Sequence, residues 1–83
     1  MNKITLIYTN DWVTMYGPDG EHLTDYHNID GERMFRALQN VDLHPNEIEL
    51  VHEYIKDEQI EKDLFDGNVP IKLQEIRDYQ NKG

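Results

Sequence analysis

The sequence predicts an α+β domain: a small antiparallel β-meander of two or three strands followed by three or four short helices. Three observations predict it. Up to His27, β-branched and aromatic segments alternate with turn signals at Asn10-Asp11 and Gly17-Pro18-Asp19-Gly20. From Asn28 onward, apolar residues recur at helical spacing. Helix-start residues, Asp30 and Pro45, stand where that period sets in.

The elements follow in order. Residues 3–9 place Ile4, Leu6 and Tyr8 on one side of a strand and Thr5, Ile7 and Thr9 on the other. Residues 12–16 form a second strand, paired with the first as a hairpin. Residues 21–27 form a weaker third strand, with Leu23 opposite His22, Thr24 and Tyr26. Helices on one face of this meander would leave its other face wet.

The first helix is expected over about 30–40. Asp30 is its cap, Ile29 and Met34 its hydrophobic staple, and Met34, Leu38 and Val41 its apolar stripe. A second helix is expected over about 45–56. Pro45 opens it, Leu43 and Ile48 staple it, and Ile48, Val51 and Ile55 point one way. The pattern slips after Ile55, so the helix either continues or restarts at Asp57, running over about 57–66 with Gly67 as its cap. Val69, Ile71 and Leu73 alternate like a strand, but Pro70 and the run after it favour a last helix over about 70–80. The tail from Gln80 to Gly83 is expected to fray.

Eighty-three residues bound the chain to one small domain with a thin core. Cysteine is absent, which excludes disulfides and thiolate metal sites. The apolar run at the N-terminus is too short for a signal peptide, and no stretch approaches a membrane span. A soluble, cytoplasmic protein is therefore expected. The net charge of −9 disfavours nucleic acid and anionic membranes as direct partners and favours basic proteins.

That charge is concentrated between Asp42 and Asp66, where nine carboxylates face two lysines. On a continuous helix, Glu49, Glu53, Asp57 and Glu61 form one acidic row. Like charges at this spacing repel by roughly 0.2–0.5 kcal/mol per pair, so a helix under selection for its own stability would alternate signs here. Four residues of helix rise about 6 Å, close to the phosphate spacing of a nucleic-acid strand. With Glu58 and Asp63 beside it, the row would fill a cationic groove that otherwise holds phosphates. In size, charge and lack of cysteine the chain resembles small acidic phage-encoded inhibitors of DNA-handling enzymes. That likeness is one of type and carries over no residues. The bland reading is a solvated helix face.

Other chemistry has less support. His52-Glu53 begins like a zinc-protease helix, but Lys56 stands where the second histidine belongs. An EF-hand frame on Gly31 puts Tyr26 first and Ala37 twelfth, where Asp and Glu are required. There is no serine, no Gly-rich phosphate loop and little room for a pocket.

The expected function is therefore a non-enzymatic acidic binding protein that needs no cofactor. Its partner is a basic protein such as a nucleic-acid-binding enzyme, met by Glu49, Glu53, Asp57, Glu58, Glu61 and Asp63. One alternative is an assembly module or homodimer using Trp12, Tyr16, Leu64, Phe65 and Tyr79. The other is a small metal-dependent regulator or enzyme using His22, His27, His44 or His52.

Overall fold

The computed structural model describes residues 2–65 and 68–81. The expected cap at Gly67, and the end of the tail at Lys82 and Gly83, lie outside them. The fold is α+β, as expected, but its sheet has four strands in the order β3-β2-β1-β4. The strands are β1 (Asn2–Tyr8), β2 (Val13–Tyr16), β3 (His22–Tyr26) and β4 (Ile48–Tyr54). The helices are α1 (Gly31–Asn40), α2 (Glu58–Phe65) and α3 (Leu73–Gln80).

The first three strands form the expected antiparallel meander. The turn at residues 9–12 closes with the Trp12 carbonyl accepting from the Thr9 N–H at 2.9 Å. The second turn closes from the Gly20 N–H to the Gly17 carbonyl, also at 2.9 Å, with Gly20 at φ +82°. Glycine holds that φ without the strain a side chain would add. Met15 pairs with Thr24 and Tyr16 with His22, so Leu23 is the extra residue of a bulge. The bulge lets Leu23 join the same core as Met15, which strict alternation in β3 would forbid.

The main correction falls on residues 45–56. Helical geometry begins at Pro45, as its start signal implies, but ends at Glu47 after one 3₁₀ turn. Ile48–Tyr54 is then a strand that runs parallel to β1 in continuous register from Asn2↔Ile48 to Tyr8↔Tyr54. The sheet is consequently mixed rather than a pure antiparallel meander. Two physical effects favour the strand. In β1, Ile4, Leu6 and Ile7 are all buried, so apolar side chains project from both faces, as in an interior strand that needs a neighbour on each side. Extension also moves Glu49 and Glu53 to about 13 Å apart, against about 6 Å in a helix, which relieves their repulsion.

A second correction concerns layering. Helices cover both faces of the sheet. On one face, α1 packs Ala37 and Leu38 over Ile4, Leu6, Val13 and Met15. On the other, α2 and α3 pack Ile60, Leu64, Phe65, Leu73 and Ile76 over Ile7, Tyr16 and Ile55.

The helix ends follow local chemistry. Asp30 caps α1 by accepting the Arg33 N–H at 2.8 Å, and the stapling residues Ile29 and Met34 both join the core. At the far end, the Leu43 N–H reaches the Leu38 carbonyl at 2.9 Å and the Asp42 N–H reaches the Gln39 carbonyl at 3.2 Å. That is a Schellman motif with Asp42 in the left-handed position, φ 56°. Asp57 does start α2: its carboxylate accepts the Gln59 N–H at 2.9 Å and its carbonyl accepts the Glu61 N–H. The last segment resolves as helix from Leu73, leaving Ile71 outside it and 71% exposed.

Candidate interaction surface

The six acidic residues singled out above do not form one row. Glu49 and Glu53 lie on β4, Asp57 precedes α2, and Glu58, Glu61 and Asp63 lie on α2. The phosphate-like spacing required a continuous helix, and the strand at residues 48–54 removes it. Each carboxylate then has its own surroundings. Glu53 projects toward α3, where both guanidinium nitrogens of Arg77 bond its two oxygens. This hydrogen-bonded fork, with its charge attraction, holds the Glu53 carboxyl below its ordinary 4.5 against the opposing effect of burial. The same bond raises Arg77. Asp57 is spent largely on capping α2, and Asp63 accepts from Gln59 and from the Tyr79 hydroxyl. The Glu61 carboxylate accepts the Asn10 N–H at 3.4 Å. Glu49 and Glu58 are exposed.

Sequence reasoning missed a different grouping, which β4 creates. Parallel register puts Leu50, His52 and Tyr54 on the same face of the sheet as Ile4, Leu6 and Tyr8, and Glu49, Val51 and Glu53 on the other. The first face is the one α1 covers, but α1 lies toward β3. Its Arg33, Arg36 and Asn40 line a cleft with Leu23 and Thr24, and the Arg33 guanidinium sits 3.8 Å from the Tyr26 ring centre.

The β4 end of that face is therefore open. Leu50 is 40% exposed and Tyr54 64%. The Tyr54 ring stacks on Tyr8 at 4.5 Å between centres, and the Tyr8 hydroxyl bonds Nδ1 of His52 at 2.8 Å. Burial, and next the neighbouring Tyr54, raises the Tyr8 hydroxyl above its usual range. Phe35, 50% exposed, stands about 200° round α1 from Arg33, which puts it on the β4 flank of the helix. Where β4 ends, Tyr8 and Tyr54 border a cleft of about 780 Å³ toward α2, with Lys56, Glu58, Glu61 and Lys62 along it. The signal for this face was present in the alternation Ile48, Leu50, Tyr54, but it competed with an equally good helical spacing.

The aromatic residues proposed as assembly anchors are mostly committed to the fold. Tyr16 is fully buried, and its hydroxyl donates to the Pro70 carbonyl at 2.7 Å. Burial is the main reason its hydroxyl is raised far above the ordinary 10.0. Trp12 donates its indole N–H to Asp25 at 2.9 Å and meets His27 edge-on. Leu64 and Phe65 pack against the core, and Tyr79 bonds Asp63.

The four histidines occupy separate surroundings. His22 bonds Asp25 at 2.5 Å, His27 sits on Trp12, His44 pairs with Asn46 and His52 with Tyr8. Among the described residues, no three His, Cys, Asp or Glu side chains are grouped to hold a metal ion. None of the described helices is long and apolar enough to cross a membrane.

Comparison with known protein families, with curated protein sequences and with solved structures finds no match for this chain.

Proposed function

We propose that the chain is an acidic binding protein, without catalytic chemistry of its own, that engages a basic protein. One observation carries the reading: the surplus negative charge is not neutralised inside the molecule. Among the described residues, only Glu32 and Glu53 are paired with an arginine, and the one other ion pair is His22 with Asp25. Pairing inside the chain leaves the net charge of −9 unchanged, so all of it faces solvent or a partner. A surface of that sign attracts cationic proteins over a Debye length, roughly 8 Å at physiological salt, and accelerates their encounter. A cationic groove that ordinarily binds nucleic acid falls within this class of partner. The attraction would come from the field of dispersed carboxylates rather than from a phosphate-spaced line.

Affinity capture from the native cell at low and then high salt tests the reading. Partners should be basic, released by salt, and lost to a double Glu49→Lys, Glu58→Lys variant with an unchanged circular-dichroism spectrum. Partners that survive both salt and charge reversal would overturn it.

One observation favours a second reading. Leu50 and Tyr54 expose apolar surface on one face of β4 that a second copy of the chain could cover. Sedimentation equilibrium at physiological and high salt decides this: a dimer that tightens with salt supports apolar self-assembly, and a monomer throughout removes it.

A further inference from the structure

The two edges of the sheet are treated differently. At its start the outer edge of β3 is capped by the chain itself: the His22 N–H donates to the Ile71 carbonyl at 3.0 Å and the Leu73 N–H to the Gly20 carbonyl at 2.7 Å, with a bridge between Glu21 and Lys72. At β4, no further strand pairs among the described residues. The side of β4 that faces outward follows from one hydrogen bond, the Ile55 N–H to the Tyr8 carbonyl at 2.8 Å. In an extended strand the N–H and C=O of one residue point the same way and alternate along the chain. Val51 and Glu53 therefore address β1, whereas Leu50, His52 and Tyr54 turn both backbone groups to the open edge.

Protected edges usually carry prolines, bulges, charges or very short strands; the charges of β4, Glu49 and Glu53, lie on one face only. β4 has seven residues in unbroken register and contains no proline. Its flanking side chains differ by face. One side offers Leu50, His52 and Tyr54; the other offers Glu49 and the Glu53–Arg77 pair.

We infer that β4 is a docking edge for a strand from a basic partner protein, one that alternates apolar or aromatic residues with lysine or arginine. The apolar residues would lie against Leu50 and Tyr54, and the basic ones would meet Glu49 on the other side. Backbone bonds to Leu50, His52 and Tyr54 would supply affinity, and the alternation would supply specificity. A second copy is a poor occupant. The antiparallel register that pairs the whole of β4 with itself sets Glu49 opposite Glu53 of the second copy twice, where the Arg77 already bonded to Glu53 only partly offsets the like-charge repulsion. Self-pairing would also double a net charge of −9.

The inference rests on the proposed binding of basic proteins, and the test separates the two. The full chain is titrated, by amide-resolved NMR at low salt, with three synthetic peptides of equal length. One alternates Lys with Val, one has the same composition in two blocks, and one alternates Glu with Val. The alternating basic peptide should bind most tightly and slow hydrogen exchange at Leu50, His52 and Tyr54. Leu50→Pro, which removes one outward N–H, should weaken it about tenfold, the equivalent of one backbone hydrogen bond. Glu49→Lys keeps the backbone edge intact and should weaken it too. If the blocked peptide binds equally well, with shifts spread over the acidic surface, strand addition is overturned and the charge reading stands. If neither basic peptide binds better than the acidic one, both fall.

Discussion

Proline placed at Leu50 and at Val51 should have opposite consequences, although the two residues are adjacent. Stepping back four residues from the Ile55–Tyr8 bond, the register directs the Val51 N–H to the Ile4 carbonyl. Ile4 is fully buried, so Val51→Pro removes a ladder bond and leaves a buried acceptor without its donor. The lost bond contributes about 1 kcal/mol and the orphaned carbonyl about 1–3 kcal/mol more. Together these approach half the total stability of a small domain. At about 4–8 °C per kcal/mol, the melting temperature should fall by roughly 10–25 °C. At Leu50 the N–H faces solvent, an orientation in which edge strands tolerate proline. The loss there should stay near 1 kcal/mol, from a side chain already 40% exposed. Thermal unfolding followed by circular dichroism reads both. Equal, severe destabilisation would refute the strand, because a helix interior loses about 3 kcal/mol or more to proline at either position.

Further predictions follow from the same packing. Glu53→Gln should destabilise the protein by about 1 kcal/mol at neutral pH, a discounted figure because both partners of the Arg77 fork are about one-third exposed. The Glu53 carboxyl is lowered below 4.5, so its contribution is full above that value and lost as pH falls through the lowered one. Urea titrations should show the wild-type advantage over the variant shrinking only in that acid window. Asp42→Gly should stabilise by about 1 kcal/mol, since glycine holds the left-handed position at the end of α1 without strain; a loss in denaturant midpoint would count against the Schellman geometry. Ile76→Ala should cost about 2–5 kcal/mol by opening a cavity under α3. A change under 1 kcal/mol would show that α3 is not seated on the sheet.

Much of the fold was legible where local chemistry decides it. The meander turns carry their own glycine and proline signals. The start of α1 is written in Ile29, Asp30 and Met34, and that of α2 in Asp57. Residues 48–54 were not legible in the same way. Ile48, Val51 and Ile55 fit a helical period, Ile48, Leu50 and Tyr54 fit a strand period, and Pro45 suits either a helix or the single 3₁₀ turn it makes. Tertiary demand settled the matter, because β1 is apolar on both faces and needs a second neighbour. That demand was readable in Ile4, Leu6 and Ile7, whose burial on both sides of one strand is the mark of an interior position. The surplus of acidic residues is a matter of composition alone. Their arrangement was misplaced because it inherited the wrong period, and the aromatic face of β4 stayed hidden for the same reason.

The measurement that bears most directly on the account is residue-by-residue amide hydrogen exchange across Ile48–Ile55 in the free protein. A strand paired on one side predicts alternation: Val51, Glu53 and Ile55 protected, with Leu50, His52 and Tyr54 exchanging fast. Uniform protection along the segment would contradict it, by showing either a helix or an edge already occupied.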